Sequence, residues 1–176
     1  MRRSMLAGLV SLACAVALLP AAAAQATAGD GIFRIINAVN WALSADGNYE
    51  GVNAAFAGPN PSPGNGGPIA SQGWRRSYDS DGLLRFRSTV SGSAWALTVN
   101  TGVDWVNKPV ILMASNSTFP NQKWRALPAS NGFVLLQNPY TGKCLGEPAG
   151  GSTFTVYVVA CNTGDNLQRW KVTDND

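Results

Sequence analysis

Three sets of residues in this chain are of types that can do chemistry: the carboxylates Asp46 and Glu50, the cysteines Cys144 and Cys161, and three Gln-x-Trp triplets. The 176-residue sequence contains no histidine. That removes Ser-His-Asp and Cys-His nucleophilic machinery and the commonest ligand of a catalytic zinc. Asp46 and Glu50 have the residue types of a glycosidase pair, but with ten acids in the chain such a juxtaposition is ordinary surface coincidence. A phosphate-cradling loop of the form G-x-x-x-x-G-K-S/T is also missing from the sequence. The inventory points to a binding protein rather than an enzyme, with no metal and no cofactor.

The cysteines are read together with the start of the chain. Arg2-Arg3 is a basic n-region, Met5 to Leu19 is apolar, and Ala24-Gln25-Ala26 has the small-x-small form of a secretory cleavage site. Residues 1–26 therefore read as a signal peptide, residues 27–176 as the mature domain, and the protein as secreted and extracellular. Pro20 and the alanines after it leave too short an apolar core for a span of about 20 residues, so no membrane insertion is expected. Without Arg2 and Arg3 the cations fall from 13 to 11 against 10 acids, a net charge of +1. The pI near 8.9 thus gives no reason to expect nucleic acid as a partner. Without Cys14 the cysteines are two, and an even pair in an exported protein reads as a disulfide, Cys144–Cys161.

The elements that hold these residues come from an internal repeat. Gln72-Gly73-Trp74, Gln122-Lys123-Trp124 and Gln168-Arg169-Trp170 recur at intervals of roughly 50 residues, a period that means one supersecondary unit used several times. Gly31, Gly82 and Gly132 each open an apolar run: Ile32-Phe33-Arg34-Ile35, Leu83-Leu84-Arg85-Phe86 and Phe133-Val134-Leu135-Leu136. Each run reads as a strand. Trp41-Ala42-Leu43, Trp95-Ala96-Leu97 and Lys143-Cys144-Leu145 follow, and then Val52, Val110 and Val156. The repeats span about residues 31–76, 82–126 and 132–172.

At these residues the chain resembles the ricin-B-type lectins, β-trefoils built from three Gln-x-Trp repeats. The resemblance covers about residues 31–172 and implies an all-β, single-domain fold. A large indole recurring once per unit is expected to fill the shared core, with the Gln tying down backbone, so Gln72, Trp74, Gln122, Trp124, Gln168 and Trp170 are structural. On this alignment the bridge positions in the other repeats are Ala42 with Ala57 and Ala96 with Ser115, small wherever the bridge is missing. The interval from Val52 to Gln72 is longer than those from Val110 to Gln122 and from Val156 to Gln168, which are equal. The excess is the Pro/Gly-rich stretch 58–68, which is expected to form a loop without strand or helix.

The resemblance also implies a carbohydrate or glycoconjugate ligand. In that family each repeat holds a sugar through a carboxylate just after the Leu, an amide just after the Val, an aromatic three residues past the Val, and an Asn before the motif Gln. Here those positions are Ser44, Thr98 and Gly146; Asn53, Ile111 and Tyr157; Ala55, Met113 and Val159; and Ser71, Asn121 and Leu167. No repeat has the full set, so the sugar sites are partly eroded. The candidate carbohydrate-binding residues are Ser44, Asp46, Tyr49, Asn53 and Phe56 in the first repeat and Asn121 in the second. The erosion keeps an alternative open, a secreted trefoil that binds a protein partner as a protease inhibitor or a toxin delivery subunit.

Overall fold

The computed structural model describes residues 31–45, 55–59, 70–90, 94–147 and 155–174. The segments 1–30 and 60–69, which contain the signal-peptide reading and most of the Pro/Gly-rich stretch, lie outside the described residues. The described residues form twelve strands and three short 3-10 turns, four strands to a repeat. The first repeat has β1 (Phe33–Asn37), β2 (Trp41–Ala45), β3 (Ala55–Pro59) and β4 (Trp74–Tyr78). In the second are β5 (Leu84–Ser88), β6 (Trp95–Val99), β7 (Lys108–Ala114) and β8 (Arg125–Pro128), and in the third β9 (Val134–Asn138), β10 (Lys143–Gly146), β11 (Tyr157–Val159) and β12 (Arg169–Asp174).

Two kinds of antiparallel pairing build the β-trefoil. The first and last strands of neighbouring repeats pair as β4–β5, β8–β9 and β12–β1. Within each repeat the first strand meets the start of the last, Phe33 opposite Trp74, Leu84 opposite Trp124 and Val134 opposite Trp170. These links close a six-stranded barrel, and closure leaves no open edge on it. The remaining strands form three hairpins, β2–β3, β6–β7 and β10–β11. Alternation sets which side chains enter: in β1, Phe33, Ile35 and Asn37 are buried while Arg34 and Ile36 between them are not.

One core serves all three repeats. Trp74, Trp124 and Trp170 are each 0% exposed and share a cluster with Ile35, Leu43, Phe86 and their counterparts. The hairpin turns that join the repeats demand glycine at one point, since Gly82 and Gly132 both take a positive φ, a left-handed conformation costly for any residue with a Cβ.

The first repeat differs from the sequence-based expectation in two ways. Gly58 and Pro59, assigned above to a loop without structure, belong to β3, opposite Ala42 and Trp41. β3 lies at the end of the strand order and Pro59 at the end of β3, a place where proline's missing N–H removes no interior ladder bond. The register is also displaced. Val99 faces Val110, and the counterpart of Val99 in the first repeat, Ala45, faces Ala55. Ala55, not Val52, is therefore the first repeat's equivalent of Val110, which shortens the excess before Gln72.

Candidate functional site

Each Gln-x-Trp triplet sits where a barrel strand begins, and its indole works as a tie as well as a core filler. The Nε1–H of Trp74, Trp124 and Trp170 donates to the carbonyl of Leu43, Leu97 and Leu145 at 2.9, 3.1 and 3.0 Å. One residue type at one spacing thus fixes the hairpin of each repeat to the barrel. The glutamines secure the returning chain: Gln122 Oε1 accepts from the Asn116 amide at 2.8 Å while its Nε2 donates to the Ala114 carbonyl at 2.8 Å. Gln168 accepts from the Asn162 amide at 2.9 Å and donates to Asp165. Gln72 accepts from the Arg34 guanidinium at 2.7 Å. All three glutamines are buried.

Cys144 and Cys161 are bridged, with Cα atoms 4.9 Å apart. Cys144 faces Val159, so the bridge ties β10 to the residue two beyond its partner. In the second repeat Ala96 faces Met113, so the same offset gives Ser115, as aligned; in the first Ala42 faces Gly58, so the offset passes beyond Ala57, which faces Leu43 instead.

The displaced register reassigns the first repeat's sugar positions. The position after the Val equivalent is Phe56, which stands opposite Ser44 on the hairpin, and the position three beyond it is Gly58 rather than Ala55. Asn53 precedes β3 and lies, with Asp46 and Tyr49, outside the described residues. Ser44 is placed inside instead of on a rim: it is 1% exposed and its hydroxyl donates to the Ala42 carbonyl at 3.4 Å. Thr98 does the same in the second repeat, 0% exposed and donating to Ala96 at 2.8 Å. In the third, a Cβ on Gly146 would meet Gln168 Cγ at 2.6 Å, so a side chain there collides with the motif glutamine.

The second repeat carries an open recess of about 390 Å³, lined by Asn100, Thr101, Gly102, Met113, Phe119 and Asn121. The turn after β6 supplies Asn100, Thr101 and Gly102, β7 supplies Met113, and the turn before β8 presents Phe119 and Asn121. The Asn121 amide is oriented, because its Nδ2 donates to the Val99 carbonyl at 2.9 Å, which directs Oδ1 away as an acceptor. Asn100 is held in the opposite sense: its Oδ1 accepts from the Gly102 amide at 3.0 Å, leaving Nδ2 to donate. Phe119 is 40% exposed, and Met113 stands at the position where the family pattern has an aromatic. An oriented acceptor, an oriented donor and a large apolar surface are what a pyranose needs, hydroxyls on its edge and C–H groups on its face. Of the lining residues, Asn121 is the one that the sequence offers as a candidate sugar contact. Asn100-Thr101-Gly102 was legible as a turn following a strand, and Phe119 as an aromatic two residues before Asn121.

Glu147 is the buried acid of the described residues, 7% exposed, with Oε1 lacking a hydrogen-bond partner. Burial, and then the charge of Asp165, raise its carboxyl above the usual glutamate range. Among the described residues no group of three acids or cysteines is arranged to hold a metal, and no helix is long and apolar enough to cross a membrane.

A model of the ricin-type beta-trefoil lectin domain matches residues 34–170. The chain belongs to the ricin-type β-trefoil lectin family. Comparison with curated protein sequences finds no match. Among solved structures, this ricin-type domain is similar to the designed threefold-symmetric protein ThreeFoil, at TM-score 0.67 and 21% identity over 82% of this chain and 99% of that one. It is similar also to a mosquitocidal holotoxin, at TM-score 0.69 and 18% identity over 84% of this chain and 17% of the toxin. A third is the Polyporus squamosus lectin bound to Neu5Aca2-6Galb1-4GlcNAc, at TM-score 0.62 and 18% identity over 82% of this chain and 49% of the lectin. At these identities the likeness is one of fold.

Proposed function

We propose that this ricin-type domain is a secreted carbohydrate-binding protein whose working site is the recess of the second repeat. The observation that carries the reading is the orientation of Asn121 and Asn100 by backbone partners, so that one accepts and the other donates beside Phe119. A sugar hydroxyl bound by fixed groups costs little reorganisation, and a sugar with the hydroxyl elsewhere leaves those groups unpaired. The lining has no acid, base or nucleophile apart from the Thr101 hydroxyl, which supports a reading of recognition rather than transformation at this recess. Family membership and the lectin among the structural neighbours support the ligand class.

On this reading erosion is uneven. The second repeat retains its Asn and its recess, the third has Gly146 and Leu167 at two of the family positions, and the first, in the displaced register, has Phe56 and Gly58 at two of them. A glycan array probed with residues 27–176 tests the proposal. Binding to a defined group of glycans is expected, with Asp46→Ala read alongside to report on the first repeat. An array without a positive glycan, together with capture of the domain by a single protein partner, would replace this function with the protein-binding alternative.

A further inference from the structure

We infer that a second binding place, for a sugar bearing a carboxylate or a sulfate, lies between the second and third repeats. It is a recess of about 410 Å³ lined by Lys108, Tyr140, Thr141, Lys143 and Val158. The inference takes its ligand class from the carbohydrate reading, but it concerns separate residues.

The recess exists where the threefold pattern is broken. Trp41 and Trp95 precede Ala42 and Ala96, and both indoles pack against the core. Lys143, preceding Cys144, takes that position in the third repeat. Exchanging a flat bicyclic ring for a thin flexible chain leaves space, and it places an ammonium beside it.

That ammonium has company. β7 and β11 pair so that Lys108 stands opposite Val158, which brings the second repeat's Lys108 to the same recess. Lys108 Nζ donates to the Val103 carbonyl and Lys143 Nζ to the Val106 carbonyl, both in the loop that precedes β7. Each ammonium has three donors, so two remain on each after these bonds. Among the described residues neither lysine forms an ion pair, and Asp104 in the same loop reaches neither. Lys123, by contrast, is paired with Asp81 and Asp79. Two cations lining one recess without a counter-charge repel each other, and an anionic group between them relieves that repulsion.

The apolar component points to a sugar rather than a bare ion. Tyr140 is 63% exposed on the rim, and Trp105 and Val106 are 58% and 84% exposed in the adjoining loop. An aromatic ring beside fixed cations matches a pyranose with its C–H face on the ring and its acid group on the ammoniums. The second-repeat recess has no cation in its lining, so the two places differ in the charge they accept.

The test is an amide chemical-shift titration of the 15N-labelled mature protein with glucuronate, galactose 6-sulfate, galactose and inorganic sulfate. Glucuronate and galactose 6-sulfate are expected to shift amides from Tyr140 to Lys143, more weakly in higher salt. Whichever binds more tightly identifies the acid group. A Lys108→Met/Lys143→Met double variant is expected to weaken that binding at least tenfold, and Tyr140→Ala to weaken sugar binding but not any response to sulfate. Galactose shifting only the Asn100–Asn121 amides, with no response at Tyr140–Lys143 to either acidic sugar, would overturn this inference and leave the first reading standing. Acidic sugars shifting Tyr140–Lys143 while galactose shifts nothing would support it and sink the neutral recess instead. Inorganic sulfate acting as strongly as the acidic sugars would overturn the sugar component.

Discussion

Replacing Trp124 is the sharpest test of how the three repeats are held together. Its indole is 0% exposed within the shared core, and its Nε1–H reaches the Leu97 carbonyl at 3.1 Å. Trp124→Ala removes a fully buried aromatic, a change worth about 3 to 5 kcal/mol, the tie to Leu97 included. Trp124→Phe keeps most of the apolar contact and loses the donor along with part of the ring, so a loss of about 1 to 2 kcal/mol is expected. For a chain of this length about 1 kcal/mol corresponds to about 2 to 4 °C, so the Ala variant should melt about 6 to 20 °C lower than the parent. Urea unfolding followed by circular dichroism measures both, and Trp74→Ala and Trp170→Ala should behave alike, since each donates to the equivalent leucine. A Trp124→Ala protein as stable as the parent but unable to bind a glycan would refute this reasoning, because the indole would then be a ligand contact.

Two further predictions concern stability. Reducing Cys144–Cys161, which closes a loop with a sequence separation of 17, should cost about 3 kcal/mol in the chain-entropy account, read as a lower urea midpoint in the presence of a reductant. Glu147 holds its proton more tightly in the folded protein than in the unfolded one, so its contribution is full below the ordinary glutamate range and is lost as pH rises through the raised folded value. Glu147→Gln should therefore flatten the fall in stability between mildly acid and neutral pH, and an unchanged pH profile would show that this carboxyl is not the group responsible.

The fold was legible because it repeats. Three indoles in one register define three equivalent ties, and the glycines that open β5 and β9 mark turns that only a left-handed residue makes easily. The site was less legible because a landmark residue is a weaker signal than a strand register. Val52 resembles Val110 in type, yet the ladder that begins at Ala45–Ala55 decides equivalence, and it moves each first-repeat position from the Val52 count to the Ala55 count. Ser44 and Thr98 have hydroxyls of the right chemistry, but β-strand packing turns both toward the carbonyl two residues back. The lysine recess had a sequence signal, Lys143 at the position of Trp41 and Trp95, whose meaning depended on a pairing between β7 and β11 that no local pattern reveals.

The central claim is that an oriented Asn121 in the second-repeat recess holds a sugar. The most direct measurement is a calorimetric titration of the mature protein and its Asn121→Ala variant with the glycan that binds best on the array, with urea unfolding of both as the folding control. Loss of one oriented acceptor should weaken binding about tenfold, equivalent to about 1.4 kcal/mol, while the variant still unfolds cooperatively. Equal affinity in the two proteins would contradict the account and place the bound sugar elsewhere on the domain.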